Sequence, residues 1–175
     1  ITEQSTMDQF RIITLAALLA ARDLALISVW SPTFLTILLD FYLANNNRVL
    51  DVLAGSSYKG AAERASEIRR IKHTQDMFGK VWPGLGLISC WKDGPSALYA
   101  EALSDYFPGV PIQGKGLLAT EAVISIPLYK DQNPVLALNS HFYEFLSKDG
   151  RCLLPHEVIP GAEYEVIVTT GGGLY

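Results

Sequence analysis

Cysteine is scarce in this sequence of 175 residues, and its placement excludes two common kinds of small domain. The only cysteines are Cys90 and Cys152, which form no CxxC pair and no metal-ligand spacing with His73, His141 or His156. The pattern therefore indicates neither a disulfide framework nor a zinc site. We expect two free thiols in a reducing compartment, which points to a cytoplasmic protein.

Charge is also low, and positive charge is not in excess. Charged residues make up 18% of the sequence, the net charge is -4 and the isoelectric point is near 5.3. A nucleic-acid partner would usually require a basic face, so none is expected. Nucleotides remain compatible, because backbone amides and a few side chains can bind them locally. The hydrophobic fraction of 49% is sufficient for a folded core.

Long hydrophobic runs are absent as well. The longest lies over residues 12–21 between Arg11 and Arg22, which is too short for a membrane span of about 20 residues. It also lacks the pattern of a signal peptide, so we predict a buried helix and no membrane partner. The chain begins on Ile1 and stops on Tyr175 after a glycine run, and we expect a single incomplete domain over residues 1–175.

The first half of the sequence is predicted to be mainly helical. Ser31 and Pro32 mark a helix start, Gly55 suggests a left-handed helix end, and Glu67 is placed to pair with Arg70. The predicted elements are helices over Thr6–Arg22, Pro32–Leu43, Asn47–Ala54 and Gly60–Asp76, and a strand over Leu24–Trp30.

The second half is predicted to be rich in strands. The strand–helix–strand order over residues 85–113 implies parallel pairing with a right-handed crossover, whereas the later short strands suit antiparallel pairing. The predicted strands are Leu85–Trp91, Val110–Gln113, Ala122–Leu128, Val135–Leu138, Phe142–Leu146 and Tyr164–Thr170. The fold class is therefore α/β, with helices packed on a mixed sheet and no internal repeat.

Residues 114–121, with the sequence GKGLLATE, follow directly after one of these strands. Ligands bind beyond the carboxyl ends of strands in open α/β sheets, and glycines let the backbone approach a ligand closely. The Thr120 hydroxyl could donate to a phosphate, and the Glu121 carboxylate could hold Mg²⁺. By composition alone, a plain turn is the alternative.

Two further segments carry residues that could contribute to a site. In the strand Phe142–Leu146, alternation places Phe142 and Glu144 on one face and Tyr143 and Phe145 on the other. Those aromatic rings could border an adenine or could belong to the core. Residues 168–175 run from a strand into a glycine turn, which suits either a tight loop or a close approach to a ligand.

In this order, the segments resemble the auxin-responsive (Gretchen Hagen) acyl-acid amido synthetases of the adenylate-forming (ANL) superfamily. Residues 117–121 resemble that family's nucleotide motif, residues 142–145 its aromatic strand and residues 168–175 its Val-Thr-Thr segment. Residues 27–35 and 82–99 resemble its strand–helix units. The resemblance implies the middle segment of the large acyl-adenylating domain, with the phosphate loop upstream and the C-terminal domain missing.

The resemblance also implies an activity and a set of site residues. Such enzymes use ATP to activate a carboxylic acid as an acyl-adenylate and then join it to an amino acid. By this resemblance Thr120 and Glu121 are catalytic, Glu121 holds Mg²⁺, and the nucleotide lies against two groups of residues. These groups are Gly116, Leu117, Leu118, Ala119 and Thr120, and then Phe142 and Tyr143.

Two alternatives to the amido synthetase stay open at this point. Leu117 stands where the family usually has tyrosine, so the fold could serve a non-catalytic interaction module. An acyl-coenzyme A ligase would share the adenylation step and differ in the acceptor. The isolated chain is expected to lack turnover in either enzymatic case, and to self-associate through apolar surface that the missing parts would cover.

Overall fold

The computed structural model describes residues 7–128 and 133–172. The chain divides into two compact units, Ile1–Gly114 and Lys115–Tyr175. No helix within the described residues has the length and apolar character that a membrane span requires. That both units belong to one domain of a larger protein stays a prediction.

The first unit contains both helices and strands, and the elements described in the second unit are all strands. The helices are α1 (Met7–Ala20), α2 (Pro32–Ala54), α3 (Ala61–Arg69), α4 (Met77–Val81) and α5 (Ala97–Leu103), with a 3₁₀ turn at Gly94–Ser96. The strands are β1 (Leu26–Ser28), β2 (Leu87–Ser89), β3 (Ile112–Gln113), β4 (Ser125–Ile126), β5 (Val135–Leu136), β6 (Phe142–Ser147), β7 (Cys152–Leu153) and β8 (Tyr164–Thr169).

The first unit is built on a parallel sheet in the order β1-β2-β3. Each strand has only two or three residues, so the packed helices must supply most of its stability. Ile88 of the central strand is fully buried, and the core around it includes Leu39, Tyr42 and Trp82. Burial raises the pKa of the Tyr42 phenol to about 12, against a weaker opposing effect of nearby Arg69.

Helix α2 is longer than the sequence predicts, and it is distorted where the sequence predicts a break. Asn45 leaves the helical region, with φ -130° and ψ 25°, and its side-chain amide donates to the Phe41 carbonyl at 3.0 Å. Asn46 donates in the same way to Leu43 at 3.3 Å. These two amides satisfy carbonyls that the distortion would leave open, so the chain resumes the helix instead of ending it.

Arg64 is a buried cation that joins three helices of the first unit. It is 7% exposed, and it donates to the carbonyl of Leu19 at 2.9 Å and to that of Val81 at 2.6 Å. These carbonyls belong to the carboxyl-terminal ends of α1 and α4, where backbone acceptors lack helical partners. Glu67 lies 3.7 Å from the guanidinium and also accepts a 2.6 Å hydrogen bond from Arg22.

The second unit has its own small core, made from two antiparallel sheets. Strand β6 pairs with β8 along its whole length and with β7 at its far end, while β4 pairs with β5. Tyr143 and Phe145 are buried with Ala122 and Ile124 in this core. The α/β fold class is thereby confirmed, with parallel strands in the first unit and antiparallel strands in the second.

Four local predictions were wrong for identifiable reasons. Gly55 is right-handed, with φ -86° and ψ -1°, because the last carbonyls of α2 are satisfied by Gly55 itself and by Ser56. The Ser31 hydroxyl bonds to the Thr33 hydroxyl at 2.6 Å and makes no cap bond. Glu67 pairs with Arg22 rather than with Arg70.

The fourth wrong prediction is the single helix over residues 60–76. It ends at Arg69, and a separate short helix, α4, follows because Met77, Phe78 and Val81 turn into the core.

Candidate functional site

Thr120 and Glu121 lie at the tip of a hairpin in the second unit. Leu118 pairs with Val123 in an antiparallel bridge, and the Ala119 amide donates a 2.9 Å hydrogen bond across the turn. Thr120 and Glu121 therefore occupy the two positions at the end of the hairpin, and both side chains are exposed. A hydroxyl and a carboxylate are thus presented side by side to solvent.

The base of this hairpin carries a β-bulge. The carbonyl of Leu117 accepts from both the Ile124 amide at 2.9 Å and the Ser125 amide at 3.1 Å. The Ser125 hydroxyl accepts from the Leu117 amide at 2.8 Å. A bulge of this kind bends and twists a strand, and it occurs often beside functional sites because it redirects a side chain.

Gly116 is required by the same bend. Its φ is +71°, and a Cβ placed on it would lie 2.3 Å from the Ser125 carbonyl oxygen. A side chain at Gly116 would therefore meet the backbone of the opposite strand. The close backbone approach at Gly116 is thus made to Ser125 of the same hairpin. An approach of Gly116 to a ligand stays a prediction.

Strand β6 fixes the hairpin from the core side. The Tyr143 hydroxyl donates to the Val123 carbonyl at 3.2 Å and bonds to the Ser140 hydroxyl at 2.8 Å. Tyr143 is only 2% exposed, whereas its neighbour Phe142 is 54% exposed. The alternation predicted for this strand is confirmed, and Phe142 is the residue that offers an accessible ring. That Phe142 and Tyr143 border an adenine stays a prediction.

Glu144, which the sequence placed between aromatic residues, finds a partner on the neighbouring strand. The Cys152 thiol donates to its Oε1 atom at 3.5 Å. The strand that contains Cys152 was missed by the sequence reading because it has only two residues. The predicted segment 168–175 begins as the end of β8, and its last three residues lie outside the described part of the chain.

The first unit contributes a second cluster that sequence reasoning did not identify as a site. Trp30 and Trp91 each lie two residues beyond the carboxyl ends of β1 and β2, with ring centroids 5.4 Å apart. Gly114 follows β3, and a Cβ on it would lie 3.2 Å from the Lys92 side chain, so the Lys92 loop lies close over this strand end. The signal in the sequence was the repetition of Leu-Ile-Ser-x-Trp at residues 26–30 and 87–91.

An apolar cavity of about 320 Å³ adjoins β1 in the first unit. Residues of α1, β1 and α2 line it, and among the described lining residues only Thr14 and Ser28 are polar. The volume lies at the lower end of the range for small-ligand pockets, and the lining is suited to a hydrocarbon group.

Comparison with known proteins follows the division of the chain. A profile of the GH3 family N-terminal domain matches residues 1–112, and a profile of the GH3 family central domain matches residues 134–175. No protein with a curated description matches the chain.

Solved structures share the fold, and two of them are acyl acid amido synthetases. The first, AtGH3.15 acyl acid amido synthetase in complex with 2,4-DB, is 20% identical with a TM-score of 0.79, and the match covers 98% of this chain and 35% of that one. The second, GH3.15 acyl acid amido synthetase, is 20% identical with a TM-score of 0.76, covering 99% and 36%. The chain therefore spans about a third of the length of these structures.

The family profiles confirm the family resemblance, and residues 142–145 and 168–175 lie within the segment that the central-domain profile matches. Residues 117–121 lie between the two matched segments. The N-terminal profile alone accounts for more than half of the sequence. The solved structures add the same order of helices and strands over nearly the whole chain. This chain belongs to the GH3 family.

Proposed function

We propose that this chain is part of an ATP-dependent ligase that activates a carboxylic acid as an acyl-adenylate and conjugates it to an amino acid. Family membership supports the reaction class, and the presentation of Thr120 and Glu121 at the tip of a braced hairpin is the observation that carries it. The solved relatives, which carry the name acyl acid amido synthetase, support the choice of an amine acceptor.

The proposed reaction has two displacements. A carboxylate oxygen of the acid attacks the α-phosphorus of ATP, and pyrophosphate leaves. The amine of the amino acid then attacks the acyl carbon, and AMP leaves. Neither step requires a protein nucleophile, so the protein contributes mainly by positioning the reactants and stabilising charge.

The hairpin residues have distinct parts in this proposal. The Thr120 hydroxyl donates a hydrogen bond to a phosphate oxygen, and the backbone of residues 116–119 lies along the nucleotide. The exposed ring of Phe142 contacts the base. Tyr143 holds the hairpin through Val123, which keeps Thr120 and Glu121 in a fixed orientation.

Glu121 is the residue that would hold Mg²⁺. Magnesium in proteins is usually bound by one or two carboxylates together with substrate phosphates and water. An exposed carboxylate beside a hydroxyl proposed to bind phosphate suits that donor set. The described residues contain no cluster of three or more His, Cys, Asp or Glu side chains that could hold a metal ion. The ion would supply charge neutralisation at the phosphate oxygens.

The apolar cavity beside β1 would receive the hydrocarbon part of the acid. The described lining residues offer a carboxylate no polar partner apart from two hydroxyls, so the carboxylate would point out of the cavity. We place the reaction in the cytoplasm, which agrees with two free cysteines among the described residues.

The activity test uses the full-length protein that carries this chain. Given ATP, Mg²⁺ and a panel of carboxylic acids, it should release pyrophosphate only when a suitable acid is present. Glu121→Gln should lower the rate by about 10²- to 10³-fold, the usual effect of removing one electrostatic contact to the reacting phosphates. Glu165→Gln, which changes another exposed carboxylate of the same unit, should leave the rate unchanged.

Two outcomes would count against this proposal. Pyrophosphate release that never depends on the acid would exclude acyl-adenylate formation. Equal rates for Glu121→Gln and the unaltered protein would remove Glu121 from the site. A comparison of amino acids with coenzyme A as acceptors separates the amido synthetase from an acyl-coenzyme A ligase.

The 175-residue chain alone is proposed to lack turnover and to self-associate. Large apolar side chains are exposed in both units, among them Leu98 at 77% and Ile159 at 68%. Exposed apolar patches promote association. Sedimentation of the isolated chain against the full-length protein tests this expectation.

A further inference from the structure

The first unit contains another cavity, on the far side of α2 from the cavity beside β1. Its volume is about 350 Å³, at the lower end of the range for small-ligand pockets. Helix α2, the loop before α4, the first turn of α4 and the segment after α5 all contribute to its lining. The two cavities share no described lining residue. They are therefore separate sites in the same unit.

This second cavity lies toward the amino ends of the parallel strands. Helix α5 returns the chain from the carboxyl end of β2 to the amino end of β3, and Tyr106, which lines the cavity, follows this helix. Met77 and Phe78 lie in α4, which likewise precedes β2. Substrates of open parallel sheets bind beyond the carboxyl ends of the strands. The cavity is thus at the end where the substrates of the proposed reaction are not expected.

The cavity combines an apolar inner wall with a polar rim. Met77 and Phe78 form the inner wall and are only 1% and 2% exposed. The Phe78 ring centroid lies 6.3 Å from that of Tyr106. Thr74 and Asp105 are exposed at the rim. Such a lining suits a ligand with an aromatic body and one polar head group, because the ring can pack against the inner wall while the head group stays at the rim.

The rim carries negative charge that no cation of the described residues neutralises. Asp105 makes no ion pair in the described part of the chain, and neither does Asp40, which accepts a hydrogen bond from the Tyr106 hydroxyl. That hydrogen bond, together with burial and the charges of both aspartates, raises the pKa of the Tyr106 phenol to about 12. Lys80 of α4 is paired with Asp76 at 3.8 Å. The described lining residues include neither lysine nor arginine, so the rim favours a cationic head group.

We propose that this cavity is a second binding site, for a small primary amine that has an aromatic body and no carboxylate. The ring packs against Met77 and Phe78, and the ammonium group faces Asp105 at the rim. The Tyr106 ring adds a cation–π contribution. An amino acid is disfavoured, because its carboxylate would meet Asp105 and Asp40. The ligand contacts α2, α4 and the segment after α5 at once, so its binding stabilises their packing.

The test uses the 175-residue chain with ¹³C-labelled methionine methyl groups. The sequence has two methionines: Met77 lines the cavity, and Met7, which is 66% exposed at the start of α1, is the internal reference. The ligands are 2-phenylethylamine, 2-phenylethanol and phenylalanine, which share one phenylethyl body and differ in charge. The amine should shift the Met77 signal to saturation and leave that of Met7 in place. It should bind roughly 3- to 30-fold more tightly than the alcohol, from one ion pair and one cation–π contact.

Two variants control the interpretation. Asp105→Asn removes the charge and keeps the shape of an exposed side chain, so it should weaken the amine by roughly two- to fivefold and leave the alcohol unchanged. Glu63→Gln removes an exposed carboxylate of α3 that does not line the cavity, and it should alter neither affinity. An unchanged Met77 signal before ligand is added shows that each variant is folded around the cavity.

The outcomes separate the possible occupants. A saturating Met77 shift with the amine bound most tightly, and a preference that falls in Asp105→Asn, support the site. The inference is overturned by the absence of a saturating shift, by equal affinities for the amine and the alcohol, or by a preference that Asp105→Asn leaves intact. Phenylalanine binding as tightly as the amine would also overturn it, since a carboxylate would then be tolerated. The titration needs neither ATP nor turnover, so failure of the proposed function would leave this site untouched.

Discussion

Replacing Gly116 with alanine should distort the hairpin that presents Thr120 and Glu121. The backbone at Gly116 has φ +71°, a region that costs a residue with a Cβ about 1–2 kcal/mol. The new Cβ would also lie 2.3 Å from the carbonyl oxygen of Ser125, and overpacking of this kind costs about 1–3 kcal/mol. The combined destabilisation of the hairpin is therefore on the order of 2–5 kcal/mol.

Gly161→Ala is the matched control for this substitution. Gly161 lies in the same unit with φ +87°, and nothing lies within 4 Å of its hypothetical Cβ. It should carry only the backbone cost, so the difference between the two variants isolates the contact with Ser125. That difference should be about 1–3 kcal/mol, or roughly 5- to 150-fold in an equilibrium constant.

Hydrogen exchange at the amides of Ala119 and Ile124 measures the effect where it arises. Both donate hydrogen bonds inside the hairpin, so their protection reports its opening. Gly116→Ala should lower that protection by the factor above relative to Gly161→Ala. Equal protection in the two variants would show that the hairpin does not need the close approach, and the structural basis for placing Thr120 and Glu121 would fail.

Two predictions concern the helical unit. Arg64→Met should lower the free energy of unfolding by about 3–5 kcal/mol, because two charge-assisted hydrogen bonds to helix carbonyls are lost. Arg70→Met, at an exposed position, serves as control in urea unfolding followed by tryptophan fluorescence. The hydrogen bond from Arg22 lowers the pKa of the Glu67 carboxyl below its ordinary 4.5. The stabilisation of the fold by ionised Glu67 is therefore fully present above pH 4.5, and it is lost as the pH falls through the lowered pKa. Below about pH 4.5 the unaltered chain should lose stability more steeply than Glu67→Gln, and parallel urea midpoints would contradict this assignment.

The elements that the sequence predicts well are those with a strong local period or strong punctuation. The alternating residues of β6 give its buried and exposed faces directly, because a strand has a period of two. The apolar runs around β1 and β2 are long enough to indicate strands, although the paired segments are shorter than predicted. Pro32 marks the start of α2 because its fixed backbone angle suits the first helical turn.

The features that the sequence does not reveal depend on partners that are distant along the chain. Arg64 lies in a polar helix and appears solvated, yet the ends of α1 and α4 converge on it and require donors. Glu67 likewise bonds to Arg22, 45 residues away, instead of to a residue on its own helix. Local spacing contains no information about such convergence.

The candidate site shows both situations at once. The Gly-x-Gly segment and the Thr-Glu pair can be recognised from sequence because glycine, hydroxyl and carboxylate have specific chemical uses. Their geometry, however, depends on Ser125, which stands against Gly116, and on Tyr143, which holds Val123. These two contacts fix opposite ends of one short hairpin, so its tip cannot move without breaking one of them. The candidate pair Thr120 and Glu121 thereby gains a rigidity that an unbraced loop would not provide.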